Sequence, residues 1–161
     1  MALQDMGDLR GAALEFAEGR GYGPFDVDCN GWTLLHHAAV QSQHQRCMLD
    51  VIGGLLWAVP AEFIDMTTHG GTPRGWAALS LVCNARDWAN ERAGIAQLLV
   101  EKGADLEATN HHGTTALMTA CACGNWSCVR GLLDARANPF ATNIRRKNAL
   151  DVTPDDQWQV V

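Results

Sequence analysis

The sequence predicts an all-α solenoid: a stack of helix-turn-helix units with hairpin fingers between them, about three full repeats with a partial repeat at each end. Four observations predict it. The stretch His112-Gly113-Thr114-Thr115-Ala116-Leu117-Met118-Thr119-Ala120-Cys121 reads as a hairpin feeding a helix, because the Thr115 hydroxyl can accept a hydrogen bond from an unpaired first-turn amide. Gly124 can end that helix in the left-handed conformation, which costs glycine no Cβ clash. Ala116, Leu117, Ala120 and Cys121 fall at helical spacing and make a narrow face of small and medium side chains against which another helix packs closely. Finally, the pattern recurs: 33 residues beyond Ala116-Leu117 stands Ala149-Leu150, and 33 before Cys128 stands Ile95.

Residues 110–138 resemble an ankyrin repeat, whose pattern is a glycine, Thr-Pro-Leu-His, small residues, Gly-His or Gly-Asn, an apolar pair and Gly-Ala-Asp. The first unit carries Gly31-Trp32-Thr33-Leu34-Leu35-His36-His37-Ala38-Ala39 and the second Lys102-Gly103-Ala104-Asp105-Leu106-Glu107. The family period of about 33 residues agrees with the offset above. The resemblance implies an ankyrin-like stack over 1–161 as a single domain. Its expected parts are an N-terminal cap half repeat at 1–24, repeat 1 at 25–66, repeat 2 with an insertion at 67–109, repeat 3 at 110–142 and a partial repeat at 143–161.

In chain order, Leu9, Ala13, Leu14, Phe16 and Ala17 offer one face of a second-helix type, either as a cap or as the cut end of a longer array. Gly19, Gly21, Gly23 and Pro24 form a flexible passage. Repeat 1 predicts helices near 33–43 and 46–58. Ile52 lies 17 residues after Leu35 and Ala96 lies 17 after Leu79, whereas Val129 lies only 12 after Leu117. Both earlier units therefore hold extra residues between their helices, and the polar stretch 83–92 is expected to lengthen both helices beyond the stack. A second insertion separates Ile64 from Gly75 by 11 residues where Leu106 and Gly113 are 7 apart. Gly70, Gly71 and Pro73 make it a loop on one finger. In the last unit Arg146 replaces the glycine, Pro154 stops the helix after Leu150-Asp151, and Val160-Val161 closes the chain.

Composition excludes several classes. A net charge of −6 and a pI near 5.4 disfavour a general nucleic-acid surface, which needs clustered Lys and Arg. Neither a membrane-spanning stretch nor a basic region with an apolar core at the start is present, so an intracellular, cytoplasmic chain is expected, with no membrane insertion. Cys47, Cys83, Cys121 and Cys128 fall where the repeat buries small side chains and are expected as reduced core thiols. Asn125-Trp126-Ser127 matches a glycosylation acceptor but sits at a turn into a helix. Cys121, Cys123 and Cys128 lie near His111 and His112, yet Cys-x-Cys-x4-Cys departs from the paired spacing of zinc sites, so no metal and no cofactor are expected. No nucleophile elbow or Gly-rich phosphate loop appears.

Aligning the units on Leu35, Leu79, Leu117 and Leu150 puts Trp32, Trp76, Thr114 and Lys147 in one column three residues earlier. The resemblance implies that this column faces the concave side, where rigid aromatics suit a binding hot spot. The alternative is that each indole lies on a neighbouring finger. His36 takes the family histidine position, implying bonds to backbone groups of the next finger, while His37 is expected to be freer. Ser80 and Met118 replace that histidine later. The expected partner-binding set is Trp32, His37, Trp76, Thr114, Met118 and Lys147, on a monomeric, non-catalytic module that binds a protein partner. Arg130, Arg136, Arg145, Arg146 and Lys147 make the C-terminal end locally basic and suited to steering an acidic partner. The other function readings are a regulatory or targeting domain of a larger enzyme whose catalytic part is absent, motivated by the partial end repeats, and a thiol or metal protein using Cys121 to Cys128.

Overall fold

A computed structural model of the chain describes residues 26–41, 48–69, 75–84 and 91–154. The expected N-terminal cap, Cys47, the insertion residues 70–74 and 85–90, and the closing segment 155–161 lie outside the described residues.

Among the described residues six α-helices stand in order: α1 (Leu34–Gln41), α2 (Met48–Ala58), α3 (Ala78–Cys83), α4 (Glu91–Glu101), α5 (Ala116–Cys123) and α6 (Trp126–Asp134), with one 3-10 turn at Ala61–Phe63. They form two layers. Helices α1, α3 and α5 pack side by side in one, α2, α4 and α6 in the other, and each unit's pair is antiparallel neighbours across the layers. Small residues make the inner layer thin, since Ala38, Ala78, Ala116 and Ala120 are all buried where inner helices meet. Leu35, Leu79 and Leu117 occupy equivalent places in one continuous core that also takes Ile52, Ile95, Leu99 and Leu132.

Local chemistry sets the helix ends. The Thr115 hydroxyl accepts from the Met118 amide at 3.3 Å to begin α5, and Gly124 ends it at φ +69. Asn125 then starts α6 by accepting from the Cys128 amide at 3.2 Å. Helix α3 starts from Ala77, which has no side chain able to cap. The expected lengthening of the second unit's first helix does not occur: α3 stops at Cys83, because the backbone of Asn84 leaves the helical region at ψ +51.

Each unit is preceded by a hairpin finger built around one polar side chain. Asp28 Oδ1 accepts from the amides of Asn30 and Trp32, at 2.8 and 2.9 Å. Asn110 Oδ1 does the same for His112 and Thr114, at 2.9 and 3.1 Å. Asn143 Oδ1 repeats it for Arg145 and Lys147, at 2.9 and 3.1 Å. In the enlarged second finger Thr68 substitutes, its hydroxyl accepting from the Trp76 amide at 3.2 Å. These are Asx and hydroxyl turns, and they answer the backbone donors that the tight bend leaves unpaired. The fourth finger closes in the same way although Arg146 must hold φ +58 where Gly31, Gly75 and Gly113 hold +74, +70 and +68.

The fingers are cross-linked to each other. The His69 amide donates to Asn30 O at 2.9 Å, and the Ile144 amide to His112 O at 3.0 Å. At the finger bases Asp65 Oδ1 accepts from the Asp105 amide and Glu107 Oε1 from the Asn138 amide, at 2.9 and 2.7 Å. In the described part of the last unit, turns replace a helix at 149–152, and Leu150 is exposed where its counterparts in the first three units are buried. Asn148 and Asp151 still form a reciprocal capping box, each accepting from the other's amide at 3.1 and 3.0 Å.

Candidate functional site

The first finger and α1 create a small polar cluster. Besides ordering its own hairpin, Asp28 reaches His37 on α1, with Oδ2 3.3 Å from Nε2. Burial raises the Asp28 carboxyl, but the amides of Trp32 and Asn30 together with His37 outweigh it and leave the group below its ordinary value. The Trp32 indole lies over this pair, its ring 5.2 Å from His37 and 6.2 Å from His36, both tilted. Trp32 therefore rests against histidines of its own unit, and His37 is tethered rather than free. Asp28 escaped the sequence reading, although the signal was present: Asp28, Asn110 and Asn143 each stand three residues before the positive-φ position.

His36, one residue earlier, faces inward and is completely buried. Its Nδ1 receives the Thr33 amide at 3.1 Å and lies 2.7 Å from the Thr33 hydroxyl. Since a backbone N–H can only donate, Nδ1 is the acceptor and Nε2 carries the proton, which it donates to the carbonyl of Trp76 at 3.1 Å. The expected bond from this histidine to the neighbouring finger is therefore present, and it holds the backbone of the second column tryptophan. Burial lowers its pKa to about 4 despite the neighbouring Met66 and Trp76 carbonyls.

Of the expected surface residues, Trp32, Trp76 and Thr114 are half-buried and Lys147 is exposed. Met118 does not belong to this surface. It is 1 % exposed within the core, because the position that His36 fills with a polar ring is here filled by an apolar side chain between layers. Consecutive fingers also seat their second residues on one another: an added Cβ at Gly31 would meet the His69 ring at 3.2 Å, and one at Gly75 the His111 ring at 3.3 Å. His69 and His111 thus cover the glycines of the preceding fingers.

The cysteines are separate in role. Cys83 and Cys128 are fully buried, and their mutual hydrogen bond together with burial pushes the Cys83 thiol well above its ordinary range. Cys121 is raised by burial, an effect opposed by a bond with Thr153. Cys123 donates to Asn84 Oδ1 at 3.4 Å. Among the described residues no group of three or more His, Cys, Asp or Glu is placed to hold a metal ion, and His111 and His112 lie on a finger away from these thiols. Asn125, the glycosylation match, is completely buried as the α6 cap.

Two concavities involve the last unit. An apolar groove of about 430 Å³ is lined by Leu117, Trp126, Val129, Leu133 and Leu150. A more polar cleft of about 220 Å³ lies between the third and fourth fingers, lined by His112, Thr114, Asn143, Ile144 and Arg145.

Comparison with known proteins agrees with this architecture. Residues 99–152 match the family model of ankyrin repeats in many copies. The chain is 30 % identical over 113 residues to an ankyrin repeat protein of Acanthamoeba polyphaga mimivirus, covering 70 % of this chain and 65 % of the relative. An E3 ubiquitin-protein ligase of Arabidopsis thaliana is 50 % identical over 44 residues, which are 27 % of this chain and 9 % of the ligase. The DNA replication inhibitor plutonium of Drosophila melanogaster is 46 % identical over 46 residues, 29 % of this chain and 26 % of that protein. The chain thus spans less than two thirds of each of these relatives.

Proposed function

The chain belongs to the ankyrin-repeat family, whose repeats generally mediate protein-protein interaction, and we propose that it acts as a non-catalytic module, one uninterrupted array, that binds a protein partner across its fingers and inner helices. The observation that carries this reading is the row of Trp32, Trp76, Thr114 and Lys147 on successive fingers. Backbone bonds hold adjacent fingers in register, and His36 secures the second tryptophan to the first unit. A preformed row of this kind orders few side chains on binding, which is what makes half-buried aromatics effective anchors. His37 contributes by supporting Trp32 rather than by reaching outward. No helix among the described residues is long and apolar enough to cross a membrane.

The test is affinity capture with crosslinking from the native cell, comparing the wild-type chain with a Trp32→Ala, Trp76→Ala double variant that melts normally. Loss of specific partners from the variant is expected. Equal recovery of every partner would remove the column from the binding face.

A second reading is favoured by one observation: in the Arabidopsis ligase the segment similar to this chain is 9 % of the protein, so a stretch of this kind also occurs within a much larger enzyme. This array would then target or regulate a catalytic portion elsewhere in its parent protein. The reading frame surrounding these codons decides between the two.

A further inference from the structure

The tip of the fourth finger concentrates positive charge in a chain whose net charge is −6. Arg145, Arg146 and Lys147 are consecutive and exposed, and none of them makes an ion pair with another described residue. The nearest carboxylate in sequence, Asp151, is turned to the Asn148 amide instead. Across the cleft stands His112, whose carbonyl receives the Ile144 amide at 3.0 Å, a bond that ties the two fingers together at the cleft. Arg145 lines the cleft, and Ile144, 68 % exposed, supplies an apolar shoulder. Asn143 pins the amides of Arg145 and Lys147, which fixes where these side chains leave the backbone.

We propose that the cleft between the third and fourth fingers, with Arg145 in its lining and Lys147 exposed on the same finger, binds an extended, carboxylate-rich segment of a protein partner. This deepens the binding reading given above and rests on it. Guanidinium groups pair carboxylates bidentately, and an exposed cationic tip on an acidic protein both attracts such a segment and orients it. The apolar shoulder accommodates an aliphatic side chain interspersed among the acidic ones. Lys147 belongs to the same column as the two tryptophans, so a peptide lying along the fingers meets the aromatics at one end and the charge at the other.

The experiment titrates the whole chain with a fluorescein-labelled decaglutamate peptide, a decaglutamine peptide of equal length and a single-stranded DNA oligonucleotide, following anisotropy and amide chemical shifts. The expected result is that decaglutamate binds, decaglutamine does not, and added salt weakens the complex. Shifts are expected at His112, Thr114 and 143–147. Arg145→Gln with Lys147→Gln lowers affinity about fivefold or more, from the energy of two exposed ion pairs. Arg145→Lys with Lys147→Arg keeps most of it, and Lys102→Gln, an exposed cation just after α4 and outside the basic C-terminal end, leaves it unchanged. Equal binding of the two peptides, unaltered affinity in the Gln variant, or tighter binding of the oligonucleotide at this cleft would each overturn the proposal. If decaglutamate fails while the tryptophan double variant still loses its partners, the cleft assignment alone falls and the binding module stands.

Discussion

His36 Nε2 and the backbone oxygen of Trp76 lie 3.1 Å apart across forty positions of sequence, and this bond fastens the second finger to the first inner helix. Both imidazole nitrogens are already committed, one as an acceptor from Thr33 and one as a donor to Trp76.

Protonating His36 would place a hydrogen on Nδ1 against the Thr33 amide, inside the core. Its pKa of about 4 in the folded chain lies below the ordinary 6.5. The unfolded chain therefore binds the proton first, and stability falls as pH drops from 6.5 towards 4, levelling off below that. The loss expected is on the order of 3 kcal/mol at about 1.36 kcal/mol per pKa unit. Urea melts at pH 7, 5.5 and 4.5 check it. His36→Asn keeps an acceptor near Nδ1 and is expected to flatten this part of the profile.

Ala77→Thr is expected to stabilise the chain by about 1 kcal/mol, as a newly supplied helix cap does. Thr33 and Thr115 occupy the equivalent buried positions of the first and third units, so the register has room for the side chain. Among the inner helices α1, α3 and α5, α3 alone starts without a side-chain acceptor, the Thr33 and Thr115 hydroxyls serving the other two. A rise in the urea midpoint with unchanged slope is the readout.

Two glycines at positive φ separate conformational cost from crowding. Gly75 holds φ +70 and an added Cβ would come within 3.0 Å of the His111 backbone nitrogen, whereas Gly103 holds φ +95 with nothing within 4 Å. Gly103→Ala is expected to cost about 1 to 2 kcal/mol, the left-handed penalty alone. Gly75→Ala is expected to cost about 3 kcal/mol or more, because the third finger must also move. Chemical denaturation of the two variants side by side gives the comparison.

Arg146→Gly is expected to raise stability by about 0.5 to 1 kcal/mol. Relief of the left-handed strain at φ +58 exceeds the extra freedom glycine gains in the unfolded chain. Thermal and urea melts measure it.

Much of this architecture was legible in the sequence because its signals are local. Thr115, Gly124 and the leucines at 35, 79 and 117 act over one helical turn, so spacing alone announced a cap, a stop and a buried stripe. The turn-forming Asp28, Asn110 and Asn143 are equally local, but their oxygens answer amides two and four residues on inside an irregular bend, a pattern that carries no helical or strand periodicity. The candidate site was less legible. Nothing within a few residues of Met118 distinguishes a buried from an outward side chain at the histidine position, and nothing beside His37 says that Asp28 is within 3.3 Å.

By itself the sequence determined the period, the helix ends and which leucines are covered, because hydrogen bonding and apolar spacing within a turn suffice for those. Only the tertiary structure decided which side chains remain outside: it buried Met118 and Asn125, tied His36 to Trp76, stopped α3 at Cys83 and left Arg145 and Lys147 without a carboxylate among the described residues. Exposure is set by the neighbouring unit, and the place of that unit is fixed by contacts spanning 31 to 40 positions that no local pattern contains.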